Sequence, residues 1–172
     1  MSTDSESETP RVIRVVYGNL LTQGTEIIVH PWNRNLLPAK VLLWLFGTQG
    51  ITGELRQKSG GEPFRELAEA GPLLLGDVVL TGPGRLPYIK GIIHVALQDH
   101  LGAVSTETIR LGVQNTLKTV NDLRFRSIAF PLLGAGSLPE DEAYALLKET
   151  LIETPTDADV LIVRPPRKEG KR

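Results

Sequence analysis

The sequence contains no cysteine. Disulfides, thiolate nucleophiles and cysteine-ligated zinc are therefore excluded, and the composition suits the cytoplasmic location expected for this chain. It also lacks a strong charge of either sign, with a formal net charge of −1. No global basic field points to nucleic acid, and no acidic excess points to disorder. Nor is there an apolar run able to cross a bilayer, which takes ~20 residues. The nearest approach, LLPAKVLLWLF at Leu36–Phe46, has nine apolar residues in eleven. It reads as a short buried helix opened by Pro38, with a hydrophobic lid or subunit contact as the alternative. The three histidines, His30, His94 and His100, make no metal motif by their spacing. No glycine frame is followed by the Lys-Ser/Thr pair of a P-loop, and no G-x-G-x-x-G follows the first strand.

What is present is an ordinary globular composition, 41% hydrophobic and 23% charged over 172 residues. That length suits one domain with a sizeable core. The polar, acidic residues 1–10 read as a flexible tail and not a signal peptide. The basic, proline-bearing end, residues 165–172, reads as a second tail. Between them, residues 11–164 carry the fold.

Periodicity gives alternating strands and helices along that span. RVIRVVYG and EIIVH read as strands, ITGELRQKSG and EPFRELAEAG as short helices closed by glycine, and DVVLT and GIIHVAL as further strands. Ile109, Val113, Leu117 and Val120 place a helix after an N-cap at Ser105 or Thr106. RSIAFPLLG reads as a buried strand, PEDEAYALLKETL as a helix with acids in its first turn, and ADVLIV as the last strand. This order predicts a three-layer α/β/α sandwich with a mixed, largely parallel central sheet. Ligands of such sheets gather at the carboxyl ends of strands, which singles out the segments after Val29 and after Phe130.

Both segments are unusual. EIIVHPWNRN runs from a strand into His30, Pro31, Trp32 and two asparagines. One reading is that Pro31 stops the strand and the asparagines shape a turn. The other is that the strand delivers a ligand-binding asparagine. After the strand at Phe130 come Gly134, Ala135, Gly136 and Ser137, then a helix near Pro139. A second glycine-bearing stretch, GTQGITGELRQKSGG, opens another helix. Two such loops, each at a helix N-terminus, suit a pyrophosphate held from two sides.

Taken in order, YGNLL, EIIVHPWN, GITGELRQKSG, GDVVLT, IIHVA and RSIAFPLLGAGS resemble a macrodomain, the ADP-ribose-binding fold. The likeness covers residues 11–164 and is most specific in the two loop regions. It implies that Gly50, Ile51, Thr52 and Gly53 form the first phosphate loop. Gly134, Ala135, Gly136, Ser137 and Leu138 would form the second. Gly18, Asn19 and Leu20 stand where the family holds adenine, with Asn19 in place of its acid and so without charge assistance. Asn33 takes the place of the asparagine that faces the distal ribose.

Three departures from the family bear on mechanism. His30 replaces the leading asparagine of the Asn-Ala-Ala-Asn motif. The usual glycine run after that motif is absent, with the Leu36–Phe46 segment in its place. The aromatic of the second loop is absent. In addition, the acid that activates water in MacroD-type hydrolases reads here as Thr52, followed by Glu54 two residues on.

The resemblance therefore implies binding of ADP-ribose or ADP-ribosylated groups on protein or nucleic acid, with no cofactor, no metal and no membrane. If the pocket hydrolyses an ADP-ribosyl linkage or an ADP-ribose phosphoester, Asn33 and His30 are the candidate catalytic residues, His30 orienting a hydroxyl or acting as a base near neutral pH; the other reading of His30 is a structural substitute for the family's asparagine. His94, inside a strand, reads as structural, and a Ser137–His94–Asp77 triad has no nucleophile elbow to support it. Trp32 is read mainly as core, packed on Trp44, with a cover over the distal ribose as the alternative. The alternative function is a ligand-free, macrodomain-like scaffold serving as a protein-interaction module.

Overall fold

The computed structural model describes residues 11–36, 41 and 50–166. The Leu36–Phe46 helix, the Trp32–Trp44 contact and both tails fall largely or wholly outside these residues. In chain order the elements are β1 (Ile13–Tyr17), a 3-10 turn (Leu20–Thr22), β2 (Ile27–Trp32), α1 (Gly50–Ser59) and α2 (Glu62–Glu69). Then follow β3 (Val78–Thr81), β4 (Gly91–Ala96), α3 (Thr106–Asp122), β5 (Ser127–Pro131), α4 (Glu140–Glu153) and β6 (Asp159–Arg164).

The six strands form one sheet in the order β1-β6-β5-β2-β4-β3. All neighbours pair in parallel except β3, which runs antiparallel to β4 at the edge. The central strands are buried on both faces, which is why IIVHPW and GIIHVA read as near-continuous apolar runs and do not alternate.

Each face of the sheet has its own core. Ile27, Val29, Ile93, Val95, Phe130 and Ile162 pack against Ile109, Val113 and Leu117 of α3 and Leu147 and Leu151 of α4. On the other face, Ile28, Trp32, Ile92 and Ala129 pack against Leu20 and Leu21 of the 3-10 turn, Leu55 of α1, and Phe64 and Leu67 of α2. The result is the expected three-layer sandwich. Ser105 caps α3 by accepting the Thr108 N–H at 3.1 Å. Gly112 lets that helix lie close on β4, because a Cβ there would stand 2.6 Å from Val95 Cγ1. Among the described residues, no helix is long and apolar enough to cross a membrane.

Pro31 does not stop β2, which runs on to Trp32 in register with Val95 and Ala96 of β4. The strand's pairing with β5, in contrast, covers only Ile27 and Ile28. The alternation of backbone groups explains the difference. Glu26 and Trp32 turn their carbonyls toward the β4 side, accepting from Lys90 and Leu97. By parity the backbone of Pro31 faces β5, so its missing N–H falls on the side where pairing ends. Beyond Ile28 the two strands part. The chain leaves β2 toward β4 and leaves β5 toward β6, so this gap is also the topological switch point of the sheet.

Candidate functional site

A cavity of about 760 Å³ opens at the carboxyl ends of β2, β4 and β5. Among the described residues, four chain segments wall it. The first follows β2 and brings Asn33 and Arg34 to the cavity. Asn33 Oδ1 accepts the Asn35 N–H at 2.8 Å in an Asx turn, which leaves its Nδ2 donor and one Oδ1 lone pair free of that turn. Asn35, with φ at 54°, accepts from Trp32 Nε1 at 2.7 Å and donates to the Leu67 and Gly71 carbonyls. Arg34 is stitched to Leu73 by bonds of 2.8 and 2.9 Å. The segment is thus fastened to the end of α2, and Asn33 is held in place. Trp32 is 6% exposed, packs in the core against Phe64 and also lines the cavity.

The second wall is the first turn of α1, with Gly50, Ile51 and Thr52 lining the cavity. The opening N–H groups of a helix have no partner within it and carry its positive end. The third wall is the loop after β5, with Leu132, Gly134, Ala135 and Ser137. Gly134 has φ at 83°, and a Cβ there would meet Ile109 Cδ1 at 2.5 Å. The N–H groups of Ser137 and Leu138 fold back on the Gly134 carbonyl at 3.0 and 2.9 Å.

Both loops lead into a helix N-terminus, as expected, but the first turn of α4 carries acids of its own. Glu140, Asp141 and Glu142 fill the first turn of α4, and the first two pair with Arg164 at 2.8 and 3.1 Å. Acids at that place offset the positive end of α4.

The fourth wall was not anticipated from the sequence: Gln98, Asp99, His100 and Leu101 of the β4–α3 loop. Asp99 Oδ1 accepts the N–H groups of Leu101 at 2.8 Å and Ala103 at 2.9 Å. The Ala103 and Leu101 N–H groups together hold its carboxyl below the usual range. The available signal was the strand-end rule itself, because this loop follows a parallel strand just as the other two do.

His30 requires a correction. It is fully buried and lies behind the cavity wall, not on it. Its Nε2 is 2.9 Å from Thr52 Oγ1 and its Nδ1 is 2.9 Å from His94 Nδ1. Burial pushes its pKa down to about 3, so it cannot serve as a base near neutral pH. Burial, and then the neighbouring His30, hold His94 well below the ordinary histidine value. His94 is the hydrogen-bonded structural side chain expected of it, with Nε2 3.0 Å from Thr81 Oγ1.

The remaining sequence-predicted residues stand off the cavity lining. Gly18 donates its N–H to the Arg164 carbonyl at 3.0 Å. Asn19 caps the 3-10 turn through Oδ1, and its Nδ2 donates to Glu54 Oε1 at 2.5 Å, which sets it beside α1. Leu20 is a core residue. Gly53, Gly136 and Leu138 adjoin lining residues without lining the cavity themselves. Glu54 does not take the place of the family's acid. It is bound by Lys58 at 2.7 Å and by Asn19, which hold its carboxyl below the usual range.

Comparison with known proteins places this geometry. A family model described as Macro domain matches residues 29–146. An uncharacterized protein of Aquifex aeolicus is 27% identical over 143 residues, covering 81% of this chain and 80% of the relative. Three mycobacterial relatives are longer, and the chain spans only 26 to 28% of their length. Among solved structures, the macrodomain of Thermus aquaticus DarG matches with a TM-score of 0.73 at 23% identity, covering 91% of this chain and all of that one. A variant of the Oceanobacillus iheyensis macrodomain with ADPR matches with a TM-score of 0.71 at 24% identity, covering 88% of this chain and 83% of that one.

Proposed function

Because the chain belongs to the macrodomain family, we propose that its cavity binds ADP-ribose or an ADP-ribosyl group. The observation that carries this reading is the pairing of two backbone walls across the gap between β2 and β5. The first turn of α1 supplies N–H groups that have no partner within the helix, with its dipole behind them, and the Gly134–Ser137 loop lines the opposite side. A diphosphate fits between them. Asn33 Nδ2 then reaches the distal ribose. Gly18, Asn19 and Leu20 lie toward the adenine, where Asn19 Oδ1 keeps a second lone pair for the amino group. The Oceanobacillus structure with ADPR supports the choice of ligand.

Calorimetric titration of Asn33→Ala tests the placement. One lost hydrogen bond should weaken ADP-ribose by about tenfold. ADP, which lacks the distal ribose, should change little. Unaltered ADP-ribose affinity in this variant would remove Asn33 from the site.

A second reading, hydrolysis of an ADP-ribosyl linkage, is favoured by Asp99 and His100 on the cavity wall. Water would add its oxygen to the anomeric carbon as the bond from that carbon to the carried oxygen breaks. His100 would take the water's proton and return it to the leaving group. His100→Asn should then lower turnover of an ADP-ribosyl ester or of ADP-ribose-1''-phosphate about a hundredfold, with ADP-ribose affinity retained. Unchanged turnover would sink this role, and a wild type without turnover would leave a binder. The scaffold alternative rests on Leu36–Phe46, most of which lies outside the described residues, whereas the open cavity favours a ligand.

A further inference from the structure

Four side chains form a continuous hydrogen-bonded row from the first turn of α1 into the core. Thr52 Oγ1 meets His30 Nε2 at 2.9 Å, His30 Nδ1 meets His94 Nδ1 at 2.9 Å, and His94 Nε2 meets Thr81 Oγ1 at 3.0 Å. Thr81 Oγ1 in turn donates to the Gly82 carbonyl at 3.2 Å. His30, His94 and Thr81 are all buried. Of the four, only Thr52 reaches the cavity.

Two neutral imidazoles joined Nδ1 to Nδ1 share one proton between those atoms, so the row can run in only two directions. If His94 carried its proton on Nδ1, Thr81 would have to donate to His94 Nε2 and abandon Gly82. His30 would then donate to Thr52 and turn that hydroxyl's proton toward the cavity. In the opposite sense four protons serve four contacts. Thr81 donates to Gly82, His94 Nε2–H to Thr81, His30 Nδ1–H to His94, and Thr52 to His30 Nε2. Buried polar groups favour the arrangement that leaves no contact unmade.

We propose that the His30–His94 pair is a tautomer lock that makes Thr52 Oγ1 an obligate acceptor in the cavity wall. The wall around it otherwise presents donors, the first N–H groups of α1. A ligand seated there must therefore place an anion on the backbone and a donor hydroxyl, or a bound water, on Thr52. That combination belongs to a sugar phosphate with a free hydroxyl near the phosphoryl group. Deepening the ADP-ribose reading on which it rests, the inference pairs Thr52 with a hydroxyl or water of the distal ribose beside Asn33. His30 and His94 are positioning residues, and neither touches the ligand.

The direct test is long-range ¹H–¹⁵N correlation NMR of the full chain labelled on histidine nitrogen. The expected result is His30 protonated on Nδ1 and His94 on Nε2. The reverse assignment, or a doubly protonated ring near neutral pH, overturns the proposal. The functional arm uses Thr81→Val, a substitution of like size two imidazoles away from the cavity. Freed of Thr81, His94 can reverse the row, and ADP-ribose should weaken about three- to tenfold while ADP holds its affinity. Thr52→Val should reproduce the loss of ADP-ribose affinity, whereas equal affinities across all three proteins would overturn the role of Thr52. If the wild type binds neither ligand, it is the ADP-ribose reading that falls, and the NMR assignment still decides the direction of the row.

Discussion

Lowering the pH from 7.5 to 5.0 is expected to cost the folded protein about 2 kcal/mol through His30 alone. The sign follows from where the proton goes. Burial holds the folded His30 at about 3, below the ordinary value near 6.5. As pH falls, the unfolded chain therefore binds the proton first, and equilibrium moves toward it. The contribution is fully present above 6.5, falls by about 1.4 kcal/mol per pH unit below it, and is exhausted near 3. His94, kept neutral by the same burial, adds in the same direction. Glu26, Glu54 and Asp99 have pKa values below the usual carboxylate range, so they stay ionised across this window and do not mask the effect. Urea unfolding at half-unit pH steps measures the slope, and His30→Gln should flatten it. A wild-type stability that is level from pH 7 to pH 5 would show that the imidazoles are not held neutral.

The same pair of histidines marks the limit of what the sequence discloses. Strand and helix periods, the N-cap at Ser105, the glycine stops at Gly60 and Gly71, and the α/β layering were all legible because each is a local pattern. So was the position of Asn33, because a strand's end points where the strand points. The choice between a catalytic and a structural His30 was not legible, because its environment is supplied from 22 and 64 residues away, by Thr52 and His94. A histidine at a strand end looks exposed until α1 is laid across it. The two readings of Pro31 could not be separated for a related reason. Its missing N–H matters only on the β5 side, and parity within an assembled sheet decides which side that is. The Asp99–His100 wall escaped notice because the loop holds no glycine motif, and only the strand order reveals that β4 ends beside β2. The acids that open α4 are plain in the sequence, and a helix end offset by Glu140, Asp141 and Glu142 adds little field to the loop before it.

That last point turns the second loop into a sharp test of how the diphosphate is held. Ala135 lines the cavity, is exposed and has no left-handed backbone, so a larger side chain there strains nothing in the fold. Ala135→Glu and Ala135→Gln add the same volume and differ in one charge. A carboxylate ~5 Å from a phosphoryl group costs about 3 kcal/mol at an effective dielectric of ~20, roughly a hundredfold in affinity. The Glu variant should therefore bind ADP-ribose about a hundredfold more weakly than the Gln variant, and added salt should narrow the gap. Thermal stability of the two should agree within about 0.5 kcal/mol, as surface substitutions usually do. Equal affinities for the two variants would mean that the anion does not lie against this loop. The first turn of α1 would then hold it alone, because that turn keeps its positive end where acids offset that of α4.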